Sequence, residues 1–227
     1  MKKVLVLLAV LSMAFGANAQ MVKSRASLTK KSVSVNKDYN RVEFSYAPMF
    51  MSEGSNSWGS QSITAHGFKA GYVHGFHLSK KWPMYIEAGA NLQFNRKTVE
   101  ESYFDYDEGW YTEEYPVTVL RMNIPVAFTW RFGIGSKKLW KISPYTGFNF
   151  GINLLYKMDG DSMFGDNNDY YSANRFQFGL IEGVNFTYKC WNFGINYVID
   201  LMPLDKSDYY NAKNYTGTLA ISAGYEF

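Results

Sequence analysis

One cysteine, Cys190, occurs in the chain of 227 residues, which excludes an intrachain disulfide framework and a cysteine-rich metal site. Histidine is almost as scarce: His66, His74 and His77 are the whole supply. No run reaches the ~18 consecutive apolar residues of a membrane-spanning helix. Neither a glycine-rich phosphate loop nor a nucleophile elbow is present. An excess of one charge is also missing. The formal net charge of +3 falls to +1 once Lys2 and Lys3 leave with a leader peptide, which gives no electrostatic footprint for nucleic acid. What the chain does have in quantity is aromatic side chain: 18% of residues, with 18 Tyr and 17 Phe.

Those aromatics are arranged by alternation. From Leu120 to Phe132 every even position is apolar (Leu120, Met122, Ile124, Val126, Phe128, Trp130, Phe132), and Arg121, Asn123, Pro125, Ala127, Thr129 and Arg131 stand between them. A period of two separates the faces of a strand. Thirteen residues at about 3.3 Å each cover roughly 43 Å, far beyond the usual ~5–6-residue strand. Tilted by about 40°, they cross the ~25 Å apolar belt of an outer-membrane barrel.

The start of the chain reads as an export leader. Lys2 and Lys3 precede an apolar stretch, Val4 to Phe15, and Ala17-Asn18-Ala19 fits the small-x-small cleavage rule, so residues 1–19 are expected to be a signal peptide. No cysteine follows the cleavage site, so this is not a lipoprotein signal. Residues 20–38, polar and basic with Lys23, Arg25, Lys30, Lys31 and Lys37, are expected to form a flexible periplasmic segment. Residues 39–227 suit one domain.

Alternation repeats along that domain. Strands are expected near Tyr39–Phe50, Ile63–Leu78, Met84–Asn95, Leu120–Phe132, Ile142–Tyr156, Asn174–Lys189, Trp191–Asp200 and Tyr215–Phe227. On the fifth, Phe148, Phe150, Ile152, Leu154 and Tyr156 share the apolar face. Glu182 falls on the apolar face of the sixth, which predicts a bulge or register change nearby, because charge facing lipid is costly. Connections alternate long and short. The long ones, Met51–Ser62, Arg96–Pro116, Lys157–Ala173 and the stretch up to Asn214, read as loops. The expected fold is all-β: an eight-stranded antiparallel up-and-down transmembrane β-barrel with long extracellular loops and short periplasmic turns. Both termini are then periplasmic, and Trp82, Trp130, Trp140 and Trp191 gather at the periplasmic rim as an aromatic girdle, with Trp58 and Trp110 in the outer loops.

The last strand, Thr218 to Phe227, ends the chain on an aromatic after alternating apolar residues. It resembles the C-terminal signal by which outer-membrane barrels are recognised and inserted, with Tyr225 and Phe227 as its aromatic positions. The mature chain resembles the small OmpX/OmpA-type barrels. Asn123-Ile124-Pro125-Val126, Pro144-Tyr145-Thr146-Gly147 and Gly224-Tyr225-Glu226-Phe227 make it similar to the PorT-like outer membrane protein beta-barrel group. Pro125 in mid-strand is unusual on general grounds and is accepted on that likeness. The resemblance implies an outer-membrane location, contact with lipid and lipopolysaccharide, and the barrel-assembly machinery as a partner of the C-terminal strand.

An eight-stranded barrel is just wide enough inside for its own side chains. The polar faces place Arg41, Arg131 and Lys189 against Glu43, Glu87 and Glu226 near the periplasmic end, and Lys69, Arg121 and Arg175 with Asp200 toward the outside. These are expected to pair across the lumen, since unpaired buried charge is costly. Catalysis would need a histidine activating a serine; His66 with Ser60 and Ser62 close in sequence is the one place to look, and a rim histidine is the simpler reading. Asp159-Gly160-Asp161 with Asp166 and Asp169, or Asp105-Tyr106-Asp107-Glu108, offers oxygen ligands without the spacing of a calcium loop. No catalytic, cofactor or metal site is assigned. The expected role is non-enzymatic: structural, or surface recognition and adhesion through the extracellular loops. The alternatives are an envelope protein partner in a secretion or transport assembly, as the PorT-like resemblance permits, then a small pore or a lipid-modifying enzyme.

Overall fold

A computed structural model describes residues 37–54, 62–79, 81–105, 109–135, 139–164, 172–207 and 212–227. The expected signal peptide, most of the basic segment, Ser60, Trp58, and the loop acids Asp107, Glu108, Asp166 and Asp169 lie outside them.

The described residues form strands throughout: β1 (Tyr39–Tyr46), β2 (Met49–Gly54), β3 (Ser62–His77), β4 (Met84–Asp105), β5 (Gly109–Trp130), β6 (Phe132–Ile134), β7 (Trp140–Met158), β8 (Asp161–Ser162), β9 (Ser172–Ala173), β10 (Phe176–Tyr188), β11 (Trp191–Asp200), β12 (Asp205–Ser207) and β13 (Ala212–Glu226). Hydrogen-bonded neighbours run β1-β3-β4-β5-β7-β10-β11-β13, and β13 pairs with β1 again. The path therefore returns to its start through eight antiparallel staves, an up-and-down barrel. Asn40 and Phe227 exchange backbone hydrogen bonds of 2.9 and 3.1 Å at the seam.

The first stave is split. Pro48 has no N–H to offer the ladder, so β1 stops at Tyr46 and β2 resumes the same pairing with β3 and β13. The carbonyl of Ala47 at the break accepts the side-chain amide of Asn95 at 2.8 Å, and the same amide reaches the Ala65 carbonyl at 3.1 Å. Gly67 makes this possible, since a Cβ there would lie 2.3 Å from the Asn95 amide nitrogen. Pro125 acts likewise in β5: the β4–β5 pairing passes from Ala88↔Val126 to Asn91↔Asn123 and skips Pro125.

Alternation sorts most staves as expected. On β5, Ile124 and Val126 face outward while Arg121, Asn123, Ala127 and Thr129 are buried inside. Three differences are physical. First, 96–116 is no loop. β4 and β5 run 22 residues each and pair from Met84↔Trp130 to Asp105↔Gly109. Val99 turns inward, but Arg96, Thr98, Glu100, Thr112, Glu113 and Glu114 are exposed, so the apolar alternation that marks the buried staves is absent there. Other long connections shorten similarly: β2 reaches Gly54, β7 reaches Met158, and β13 begins at Ala212.

Second, the register shift lies in β7. Leu120 pairs with Leu155 but Arg121 with Asn153, so Leu154 is the extra residue of a bulge. Beyond it the inward parity changes from odd to even, and Tyr156 turns inward to 2% exposure. It does not share the outer face with Phe148 and Phe150. Third, β10 pairs without interruption on both sides, so no bulge rescues Glu182, which stays on the outer wall.

Candidate functional site

The lumen encloses a polar space, and it is filled in layers. At the end carrying the short turns, the Arg131 guanidinium grips Glu226 at 2.6 and 2.9 Å, and Lys141 reaches the same carboxylate at 3.0 Å. Arg131 also lies over the Tyr39 ring, 3.8 Å from its centre. Above it Arg41 donates to Glu87 at 3.0 Å and to Glu43 at 3.2 Å, and Tyr39 donates to Glu87. Arginine suits such sites because its planar fork serves several acceptors at once.

The middle layer is amide. Asn123 donates to Asn91 at 3.0 Å and Gln93 at 3.1 Å, and Asn149 donates to Asn123 at 3.2 Å. Lys69 is buried here beside a cavity of about 30 Å³ that Arg41, Glu43 and Pro125 also line. That is room for about two water molecules. Higher still, Arg121 donates to Asp200 at 2.6 Å and Asn153 at 2.8 Å, both side chains of the ion pair being 1% exposed. Thr216 donates to the same Asp200 carboxylate.

Toward the long-hairpin end the lumen stops being polar. Met49, Met51, Ala65, Val99, Val117, Val119 and Tyr156 turn inward from five staves, and Met163 and Leu204 fold in from the connections to complete an apolar plug. Its polar fastening is Asp205, which accepts Tyr156 at 2.7 Å and Asn214 at 2.6 Å. Beyond the plug, β4 and β5 continue as a two-stranded ribbon, Glu100–Asp105 against Gly109–Glu114. The neighbouring pairings end at His66↔Arg96 and Val117↔Met158. Six residues at about 3.3 Å make a projection of roughly 20 Å. Its exposed side chains include Glu100, Glu113, Glu114 and Trp110.

Two residues assigned to the lumen from the sequence are not in it. Arg175 sits at the bend before β10, exposed, with its guanidinium 4.4 Å from the centre of the Phe164 ring. Lys189 occupies the tight turn between β10 and β11 with φ 55° and is exposed, its ammonium near the Tyr188 ring. Both residues lie just outside β10, where the alternation of a strand no longer holds. The lumen instead gains Lys141, Tyr39 and the asparagine layer. Asn91, Asn123 and Asn149 are legible as inward positions by parity, but nothing in the sequence marks them as one hydrogen-bonded set.

The remaining candidates are placed as follows. Trp82, Trp140 and Trp191 are exposed at the short-turn end, and Trp130 stands edge-on to Phe128 on the same rim. Tyr225 and Phe227 are exposed on the last stave, Tyr225 edge-on to Trp191. His66 faces outward and bonds the Tyr46 hydroxyl at 2.5 Å, His74 bonds Asn40, and His77 reaches the Trp82 carbonyl. Each histidine is thus engaged by a group other than serine. Among the described residues no three His, Cys, Asp or Glu side chains are placed to hold a metal ion.

Residues 11–206 match the family model described as an outer membrane protein beta-barrel domain. The chain belongs to that family. Membership places this barrel in the outer membrane, with its apolar outer wall against lipid. Solved structures similar to this family member include Ail, the attachment invasion locus protein of Yersinia pestis (14% identity, TM-score 0.44, covering 84% of this chain and 99% of that one). OprG from Pseudomonas aeruginosa is similar at 10% identity and TM-score 0.49, covering 84% and 95%. The outer membrane enzyme PagL is similar at 9% identity and TM-score 0.40, covering 81% and 98%. A comparison with curated proteins finds no match.

Proposed function

We propose that this outer-membrane barrel is non-enzymatic and acts as a structural and recognition protein through its long-hairpin end. The observation that carries the reading is the contrast at that end: a lumen closed by apolar packing, and beyond it an acidic ribbon standing clear of its neighbouring staves. A plugged barrel has no use for its interior as a conduit, so what it offers a partner is surface. In this reading the ribbon faces the outside, the chain termini face the periplasm, and the four tryptophans of the short-turn rim sit at the headgroup level. Lipid and lipopolysaccharide surround the wall. Tyr225 and Phe227 serve the assembly machinery. The ribbon's glutamates favour a partner surface that carries positive charge.

The test has two arms. Purified protein in a planar bilayer is expected to show no steady conductance; a stable porin-like current would overturn the reading. On intact cells, protease is expected to cut the ribbon and spare the barrel. Replacing residues 100–114 by a two-residue turn, which keeps Val99 and Tyr115 of the plug, is expected to abolish surface binding to cationic matrices while leaving barrel assembly unchanged. Binding that survives the replacement would remove the ribbon from the proposal.

A further inference from the structure

The stagger of the staves sets the height of every outward side chain. Followed from stave to stave through its paired residues, the rung that leaves Asn40 returns to the first stave at Phe50, ten residues nearer the hairpin end. Ten residues at about 3.3 Å against eight spacings of about 4.8 Å give a tilt of about 41°. Each residue along a stave then adds about 2.5 Å of height, and each step across a rung from β3 toward β7 adds about 3 Å. On β4 the outward positions from Met84 to Phe94 are apolar, and they cover about 25 Å of height, the full depth of the belt. Arg96 is the next outward residue, so it stands at the hairpin-side edge of the belt. Its companions on the same rung are Thr118 on β5 and Lys157 on β7, which also turn outward. They lie about 3 and 6 Å above Arg96.

Arg96 and Lys157 are exposed, and among the described residues neither has a hydrogen-bond or ion-pair partner. The carboxylates of this flank lie further out: Asp159 is two residues beyond Lys157, and Glu100 four beyond Arg96. At about the same height on the other flank the wall carries Phe50 and Tyr215 instead. Because the staves tilt, the residues straight below Arg96, Thr118 and Lys157 come from the preceding staves: Phe68, Phe94 and Leu120, each about 8 Å nearer the bilayer centre. All three face outward. Two unpaired cations with a hydroxyl between them, above an apolar wall, suit a ligand that is anionic at one end and apolar at the other. We propose that Arg96, Thr118 and Lys157 seat the phosphate group of a lipid in the leaflet at the hairpin end, with its acyl chains lying over Phe68, Phe94 and Leu120. The cations are two strand spacings apart, about 10 Å, and their long side chains converge over Thr118. A guanidinium holds two phosphate oxygens at once, and a phosphate monoester carries enough charge for both cations. A soluble anion would leave the three apolar side chains unused, which is why a lipid fits better. With the hairpins outside, as proposed above, the lipid is the phosphorylated anchor of lipopolysaccharide; that last step alone rests on the orientation.

The test titrates the full mature chain in detergent micelles with phosphatidic acid, whose headgroup is a phosphate monoester, and with phosphatidylcholine. Native mass spectrometry counts the lipids bound. One phosphatidic acid is expected to bind at least tenfold more tightly than phosphatidylcholine. Arg96→Gln and Lys157→Gln are each expected to weaken it at least fivefold, and the double variant to lose the preference. Lys189→Gln, at the short-turn end, is expected to change nothing. Inorganic phosphate in hundredfold excess is expected not to compete. Folding of every variant is checked by its heat-dependent gel mobility. Equal binding of the two lipids, a preference that survives the double variant, or displacement by inorganic phosphate would overturn the proposal. A second measurement isolates the orientation. Lipopolysaccharide that co-purifies with the chain from outer membranes is expected to fall by at least half in the double variant. If the preference in micelles needs both cations but the co-purified lipopolysaccharide does not change, the seat stands and the hairpin end faces the periplasm.

Discussion

The two halves of the lumen solve the same problem with opposite chemistry. Near the short turns, inward positions are Arg, Glu, Asn and Gln, and the space is filled by ion pairs and amide chains. Near the long hairpins they are Met, Val and Tyr, and the space is filled by packing. In the polar half each group depends on its partner, because taking a charge out of water costs several kcal/mol unless another group meets it. In the apolar half the stability comes from area and fit, roughly 25 cal/mol per Å² removed from water. One half fails when a single partner is lost, and the other fails by cavities.

That difference orders the expected effects of substitution. The largest belongs to the polar half. Arg121→Met alone leaves Asp200 buried without its partner and is expected to cost roughly 3–5 kcal/mol, read by denaturant unfolding in lipid vesicles. Adding Asp200→Leu is expected to restore most of the loss; if the double variant is worse than the single, the pair contributes more than its burial costs.

In the apolar half, Leu204→Ala is expected to cost about 3 kcal/mol through the cavity left behind, with little change in the response to pH or salt. Outside both halves, Ile124→Arg places a charge against lipid and is expected to cost roughly 2–4 kcal/mol near the midplane, falling toward zero if Ile124 lies near an interface. The same experiment with a spin label at Ile124 and at Asn123, probed with lipid-soluble and water-soluble quenchers, distinguishes the faces directly. The smallest effect expected is at the border of the halves. Tyr156→Phe removes one hydrogen bond to Asp205, which Asn214 still serves, and is expected to cost about 1 kcal/mol.

The sequence carried the barrel because lipid and lumen impose opposite demands on successive residues, and Leu120 to Phe132 obeys both for its whole length. It misled where one of those demands lapses. Glu100, Thr112, Glu113 and Glu114 are exposed polar residues that interrupt the apolar alternation, so the ribbon reads as a loop. Counting by two places Tyr156 outward, because it cannot see the extra residue at Leu154. Arg175 and Lys189 carry inward parity in the sequence, but a bend and a turn lie at those positions and no longer obey it. Parity places Arg41, Glu87 and Glu226 in the lumen, but which carboxylate meets which guanidinium depends on stagger between staves, and Lys141, from just past a turn, carries no such mark. The apolar plug was invisible for a different reason: Met163 and Leu204 come from irregular connections that no period describes.

The bulge in β7 gives the barrel two reading frames. Below Leu154 odd-numbered residues look inward, and above it even-numbered ones do. The hairpin end and the membrane end are therefore separable modules joined at a known splice point. A chimaera that receives another barrel's outer hairpins must take β7 from Leu155 onward, or restore the extra residue. A graft one position off would turn Tyr156 and Met158 to the solvent and unseat the plug, although every transplanted strand kept its own alternation.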